Sequence, residues 1–196
     1  MGKENLLKLI FLLLCVFFTY ANAGDVTYAA IEKTPLKLKN IDEYGVAFFS
    51  GSIILEGNYL VTLDAIDEEE FEPYVSFYPD SKSLKYLPAP HSSNEVYDTP
   101  PNAIFLTNGI ISAKMLLSKS EYKSLMNLKR KFDKYSLEER FSESKNINFF
   151  RGFGRIKIDN YTTAIECDSR VYSARLVTVE RTNNQLVVNS SGNLPC

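Results

Sequence analysis

The chain has 196 residues with 22 Lys and Arg against 24 Asp and Glu, a net charge of −2. This near-neutral balance argues against a nucleic-acid or anionic-membrane partner bound by bulk charge. The length is sufficient for one domain with a real core. Trp is absent, whereas 12 Tyr and 13 Phe are present, so phenyl and phenol rings must fill that core.

The N-terminus has the three parts of a secretory signal peptide, predicted over residues 1–23. Lys3 and Lys8 supply positive charge, residues 9–18 form an apolar run too short for a membrane anchor, and Ala21-Asn22-Ala23 is a small-x-small cleavage site. Cleavage would leave a single domain over 24–196 with 20 basic and 23 acidic residues. We therefore expect a periplasmic or secreted protein with no stable membrane anchor.

Several short strands are predicted in the first half of the mature chain. Strands are expected at 25–31 and 36–39, and a stronger one at 46–55 contains Gly51, which marks a bulge or bend. A tight turn at 56–58 is expected to lead into a partner strand at 59–66.

An acidic run at 67–70, with Glu72 just beyond it, follows these strands. It is interpreted as a solvated loop; a calcium site or a contact for a basic partner is the alternative, but the ligand spacing of a calcium loop is missing. A strand at 74–78 comes next, and Leu84–Leu87 is expected to pair back onto it. Pro88–Pro101, with four prolines, is expected to form a long surface loop.

A hairpin and a helix are predicted in the middle of the chain. Asn108-Gly109 between apolar runs at 103–107 and 110–117 is a strong hairpin signal. Ser118 and Glu121 have the spacing of a capping box, which predicts that a helix starts there. Its apolar face consists of residues at helical spacing, namely Leu125, Leu128, Phe132 and Tyr135. A second short helix is predicted at 137–141.

The C-terminal region carries the densest strand signals. Phe153, Arg155 and Lys157 alternate with Ile156 and Ile158, which predicts a half-buried strand with the two isoleucines facing inward. A strand at 171–180 is expected to turn at Asn183-Asn184 and return through 185–188, placing Val179 opposite Val188.

Cys167 and Cys196 are the two cysteines that remain after signal cleavage, and we predict a disulfide between them. The bond would close a loop of about thirty residues and stabilise the fold by about 3–4 kcal/mol. An even cysteine count agrees with an oxidising compartment. A metal site or a redox pair is the alternative, but zinc would lack further cysteine ligands and the single His91 lies far away in sequence, so we expect no metal and no cofactor.

The element order predicts a mainly β fold: an antiparallel OB-like barrel with one amphipathic helix between its third and fourth core strands. Three stretches, at 113–122, 152–156 and 174–179, resemble small exported OB-like domains of unknown function from Gram-negative bacteria. The resemblance covers the C-terminal half and implies fold and compartment only. A histidine-rich turn associated with that family is replaced here by Thr162–Cys167, so no histidine role carries over.

Two chemistries lack residues that they require. Arg151-Gly152-Phe153-Gly154 copies the start of an RNA-binding strand motif, but Arg155 and Ile158 stand where its stacking rings should follow, so no nucleic-acid partner is expected. A hydrolase would need His91 as its base, yet no nucleophile elbow is present and no catalytic residue is assigned.

Binding is the function that remains. OB-folds bind ligands on the face of strands two and three and on the adjoining loops. The residues expected there are Tyr59, Tyr74, Arg155, Lys157, Tyr161, Arg170 and Tyr172. We expect a non-enzymatic exported protein that recognises a protein or a cell-envelope component. An immunity or inhibitor protein against a secreted toxin is the first alternative, and a hydrolase using His91 is the second.

Overall fold

A computed structural model describes residues 27–65, 71–91, 102–135, 148–166 and 169–188. The strands in these ranges are β1 (Thr27–Ala29), β2 (Lys37–Ile41), β3 (Ala47–Ser50), β4 (Ser52–Ala65), β5 (Phe71–Pro79), β6 (Ala89–His91), β7 (Ile104–Thr107), β8 (Asn148–Glu166) and β9 (Ser169–Val188). The helices are α1 (Ser81–Leu84), α2 (Gly109–Leu116) and α3 (Lys119–Phe132). The predicted signal peptide, the acidic run at 67–70, the helix at 137–141, and both Cys167 and Cys196 lie outside the described residues.

Five strands close into a barrel. β4 pairs with β5 and β8, β5 pairs with β7, and β9 pairs with both β7 and β8, which completes the ring. All of these pairs are antiparallel except β7 with β9. Helices α2 and α3 lie between the third and fourth barrel strands, the connectivity expected of an OB-like barrel. The predicted fold class is therefore confirmed.

Further strands extend the barrel. β3 pairs with the end of β8, and β2 pairs with β3 as an outer strand, while β1 and β6 form a separate two-stranded sheet. Gly51 separates β3 from β4 with a φ of 97°, where a Cβ atom would lie 2.5 Å from the carbonyl oxygen of Pro35. The predicted bend at Gly51 is confirmed, because a residue with a side chain fits neither that dihedral nor that space.

The barrel interior is filled by alternate residues of its strands, as the period of two requires. The fully buried side chains include Leu55, Tyr59, Val61, Val75, Phe77, Ile104, Leu106, Ile156 and Ile158. Helix α3 adds Leu125 and Phe132, and the ring of Phe132 stacks on Phe71 with 5.1 Å between centroids. The predicted inward face of the strand at Ile156 and the predicted apolar face of the helix are both confirmed.

The hairpin predicted at Asn108-Gly109 is wrong. Asn108 adopts a left-handed conformation with a φ of 57° and caps helix α2, whose first residue is Gly109. Residues 110–116 are therefore helical instead of a return strand. A turn-forming Asn-Gly pair also suits a helix start, since Asn tolerates positive φ and its side chain accepts from a backbone N–H. Leu84–Leu87 is likewise not a strand, because α1 ends at Leu84 and a turn follows.

Two predicted tight turns are also wrong, because the strands continue through them. β4 passes unbroken through Glu56–Asn58, where a Cβ atom on Gly57 would lie 2.2 Å from the Tyr78 carbonyl oxygen. The glycine permits close approach of β5 instead of reversing the chain. β9 passes through Asn183 and Asn184, which pair with Phe153 and Gly152, so that Val179 faces Ile156 and not Val188.

Candidate functional site

The outer face of the barrel carries two rings and an amide in one row across three adjacent strands. Tyr78 on β5, Asn58 on β4 and Phe153 on β8 stand directly opposite one another in the strand register. The Tyr78 and Phe153 side chains are 38% and 39% exposed. Because neighbouring strands lie about 4.8 Å apart, the two rings rise from backbone positions separated by roughly 10 Å, with the Asn58 amide between them.

A second pair of rings continues this face toward β7. Tyr74 on β5 is 39% exposed and stacks on Phe105 of β7, with 4.7 Å between ring centroids and 25° between ring planes. Phe105 is directly opposite Ser76, which lies between Tyr74 and Tyr78 on the outward side of β5. We call Tyr74, Tyr78, Phe105 and Phe153 the aromatic platform.

Most of the platform lies where an OB-like barrel binds its ligands: Tyr74, Tyr78 and Phe105 are on β5 and β7, whereas Phe153 is on β8. β5 and β7 are the second and third strands of the barrel in chain order, and the outer face of those two strands is the usual binding face of the fold. Exposed apolar residues scattered singly are ordinary, whereas aligned exposed rings mark interaction sites. The arrangement is suited to stacking against a flat ligand group.

Charged side chains beside the platform pair with one another. The Arg155 guanidinium lies 3.9 Å from a carboxylate oxygen of Glu56 and 3.8 Å from one of Glu180. Further along β8, Asp159 accepts two hydrogen bonds from Arg175 of β9, with lengths of 2.8 and 2.6 Å. Hydrogen bonding from Arg175 is the main reason that the pKa of Asp159 is lowered. Both cations therefore have a carboxylate partner at the surface.

Only part of the binding surface expected from the sequence lies at the surface. Tyr74, Arg155 and Lys157 are on the outer face of the barrel, with Arg155 half-exposed. Tyr59, Tyr161 and Tyr172 are core residues instead, with exposed fractions of 0%, 0% and 5%. Their expected place on the surface is wrong, because each falls on the inward phase of its strand.

The buried tyrosines have structural contacts. The Tyr59 hydroxyl donates to the Leu116 carbonyl at 3.4 Å, and the Tyr161 hydroxyl donates to the Pro88 carbonyl at 2.9 Å. Tyr172 stacks on Tyr161 with 6.3 Å between centroids. Burial raises the pKa of Tyr161 well above its usual value, so the phenol stays neutral. Arg170 lies beside Tyr172, where its guanidinium partly offsets the rise in pKa that burial causes.

The sequence interpretation missed three members of the site. Tyr78 and Phe105 both alternate with buried residues, so a period-two count over 71–79 and 104–107 would have placed them outward. Asn58 was assigned to a turn, which removed it from the sheet. Phe153 was correctly expected to face outward but was not connected with Tyr78, because the pairing of β4 with both β5 and β8 is not visible in the sequence.

His91 lies in β6, where its Nε2 atom is 3.2 Å from the Ala29 carbonyl oxygen. Nε2 donates to this carbonyl and holds β6 against β1, so that nitrogen is not a general base, and Nδ1 is the ring nitrogen with the lone pair. The loop expected at Pro88–Pro101 begins as this strand, with Pro88, Ala89 and Pro90 buried, and the described part ends at His91. The hydrolase alternative gains no geometric support from these contacts.

A groove of about 520 Å³ lies between α3 and Phe150 at the start of β8. Two charged residues in its wall already have structural contacts. Glu121 accepts from the backbone N–H of Ser118 in the confirmed capping box, and the Lys131 ammonium lies 5.4 Å from the Tyr135 ring centroid. The groove is therefore less suited to recognition than the aromatic platform.

Within the described ranges, no cluster of His, Cys, Asp or Glu has the arrangement of a metal site. The same ranges contain no helix that is long and apolar enough to cross a membrane.

Comparison with known proteins gives no match: no protein-family model, no curated protein and no solved structure is detectably similar to this chain.

Proposed function

We propose that this chain is an exported, non-enzymatic binding protein that recognises a protein or a cell-envelope component through its aromatic platform. The observation that carries the proposal is the group of partly exposed rings on the outer face of the barrel, three of which are on the OB-like binding strands β5 and β7. Export is supported by the signal-peptide pattern of residues 1–23. Tyr is also among the residues that contribute most to binding energy at interfaces.

The test is capture of partners from a cell-envelope extract by the immobilised mature protein. Tyr78→Ala removes a platform ring, and we expect it to reduce capture at least tenfold, since loss of an anchor residue costs about 2 kcal/mol. Tyr86→Ala is the matched control, because Tyr86 is 41% exposed but lies in the turn after α1. Equal capture by Tyr78→Ala and Tyr86→Ala would show that the aromatic platform is not the binding surface.

The identity of the captured component separates the candidate partners. A secreted toxin whose activity falls on binding would indicate the immunity or inhibitor function, and a toxin gene beside the gene for this chain would agree with it. An envelope polymer or a structural protein would indicate the general binding function.

A further inference from the structure

We infer that the aromatic platform binds an uncharged oligosaccharide that lies across strands β5, β4 and β8. The inference rests on the proposed function and narrows its partner to one chemical class. Three properties of the face support it: the spacing of the rings, the hydrogen-bonding groups between them, and the paired charges beside them.

The faces of the aromatic rings are surfaces on which sugars stack. An aromatic face is the negative side of the ring quadrupole, and a pyranose presents a face of weakly positive C–H groups. Tyr78 and Phe153 provide two such faces on one line across the strands. Both rings rise from strands of a closed barrel, so little conformational entropy is lost when a ligand stacks on them.

Polar groups lie between the rings, where a sugar needs them. The exposed Asn58 stands between Tyr78 and Phe153, and its amide has two donors and an acceptor for neighbouring hydroxyl or acetamido groups. The hydroxyl of Thr62 lies opposite Tyr74 in the same register. Ring, amide and ring thus alternate along the row, which matches a ligand whose apolar faces alternate with hydroxyl edges.

The paired charges disfavour the other ligand that stacks on rings, a single-stranded nucleic acid. Such a ligand needs a positive groove that follows its phosphates. Here Arg155, beside Phe153 on β8, lies between Glu56 and Glu180, whereas Arg151 on the other side of Phe153 is exposed, and the whole chain has a net charge of −2. A carboxylate on each side of the guanidinium repels phosphate, whereas a neutral sugar meets no such penalty.

The test is titration of the mature protein with cellohexaose, maltohexaose and N-acetylglucosamine hexamer, followed by NMR of the backbone amides. We expect at least one hexasaccharide to shift the amides of Asn58, Tyr78 and Phe153. Tyr78→Ala and Asn58→Ala should each weaken that binding about tenfold, with thermal melting confirming that both variants fold. Tyr86→Ala should bind as the parent does. Affinity should be unchanged between 50 and 500 mM salt, because no counterions are released.

The outcomes that overturn the inference are distinct from failure of the proposed function. Binding of a twelve-residue oligothymidylate that depends on Tyr78 and weakens steeply with salt would replace the sugar by nucleic acid. Absence of Tyr78-dependent binding for all three hexasaccharides would overturn the inference, while Tyr78-dependent capture of an envelope protein would leave the proposed function standing. If Tyr78→Ala retains both hexasaccharide binding and capture of the envelope component, the inference and the proposed function are both overturned.

Discussion

Tyr161 and Tyr172 stack on each other in the core but differ in how their hydroxyls are satisfied. The Tyr161 hydroxyl donates to the Pro88 carbonyl at 2.9 Å, whereas the buried Tyr172 hydroxyl makes no hydrogen bond of good geometry within the described residues. Pro88 directly precedes β6, so the Tyr161 bond ties the small β1–β6 sheet to the barrel. The two phenols therefore contribute differently to stability despite their shared environment.

We expect Tyr161→Phe to lower the free energy of unfolding by about 1–2 kcal/mol, because it leaves the buried Pro88 carbonyl without its donor. Tyr172→Phe is the matched control and should cost less, since its hydroxyl loses only a poorly aligned contact with the Arg170 guanidinium. Urea denaturation of the two variants beside the parent measures both changes. Equal losses would show that the Tyr161 hydroxyl has no special role in holding β6.

At the scale of secondary-structure elements, Gly109 determines how helix α2 meets the barrel. A Cβ atom at this position would lie 1.6 Å from the Pro73 carbonyl oxygen on β5, a backbone atom that cannot rotate away. The first turn of α2 therefore rests directly on β5, immediately beside Tyr74 of the platform. A side chain at 109 would separate the helix from the sheet.

We expect Gly109→Ala to destabilise the fold by about 3 kcal/mol, the upper part of the usual range for overpacking. Gly45→Ala is the control: its φ is +80°, but no atom lies within 4 Å of the added Cβ, so only backbone strain of about 1 kcal/mol is expected. Chemical denaturation compares the two variants. A larger loss for Gly45→Ala would mean that α2 moves away from β5 easily.

The same glycines and asparagines show which elements could be predicted from the sequence. Helix α3 and the inward face of β8 were predictable, because a capping box and a period of two or 3.6 are local signals. Gly57, Asn108-Gly109 and Asn183-Asn184 were assigned to turns because local chemistry favours reversal there. Their real roles depend on what approaches them in three dimensions, namely β5, Pro73 and β8, and no local pattern encodes that approach.

The candidate site was predictable to a similar extent. Tyr74, Arg155 and Lys157 could be placed on the outer face because they alternate with apolar residues. Tyr161 and Tyr172 could not be placed, because a bulge between Asp159 and Thr162 shifts the pairing of β8 with β9 just before them. Such a register shift changes which face of the sheet a residue occupies. Gly51 marks the bend before β4 in the sequence, but no residue marks this shift as strongly.

At the scale of the whole molecule, closure of the barrel depends on β7, which has the shortest pairings in the ring. β7 meets β9 in parallel only through Phe105–Thr107, and meets β5 only through Ile104 and Phe105. β4 and β8, by contrast, pair continuously from Ser52 to Val61. A short parallel pairing has fewer and slightly weaker hydrogen bonds than a long antiparallel one, so the ring should open first at β7.

We expect hydrogen exchange to show this order. The amides of Leu106 and Thr107 should exchange through a local opening of lower free energy than the amides of Ile53 and Leu55, which should exchange only on global unfolding. Exchange measured in increasing low concentrations of urea distinguishes the two cases, since local opening depends weakly on urea and global unfolding strongly. Equal free energies and equal urea dependence at the two sites would show that the barrel opens as one unit. Because Phe105 belongs to the platform and lies on β7, a ligand that also contacts Phe105 would protect the pairings of β7 through mass action on the closed form.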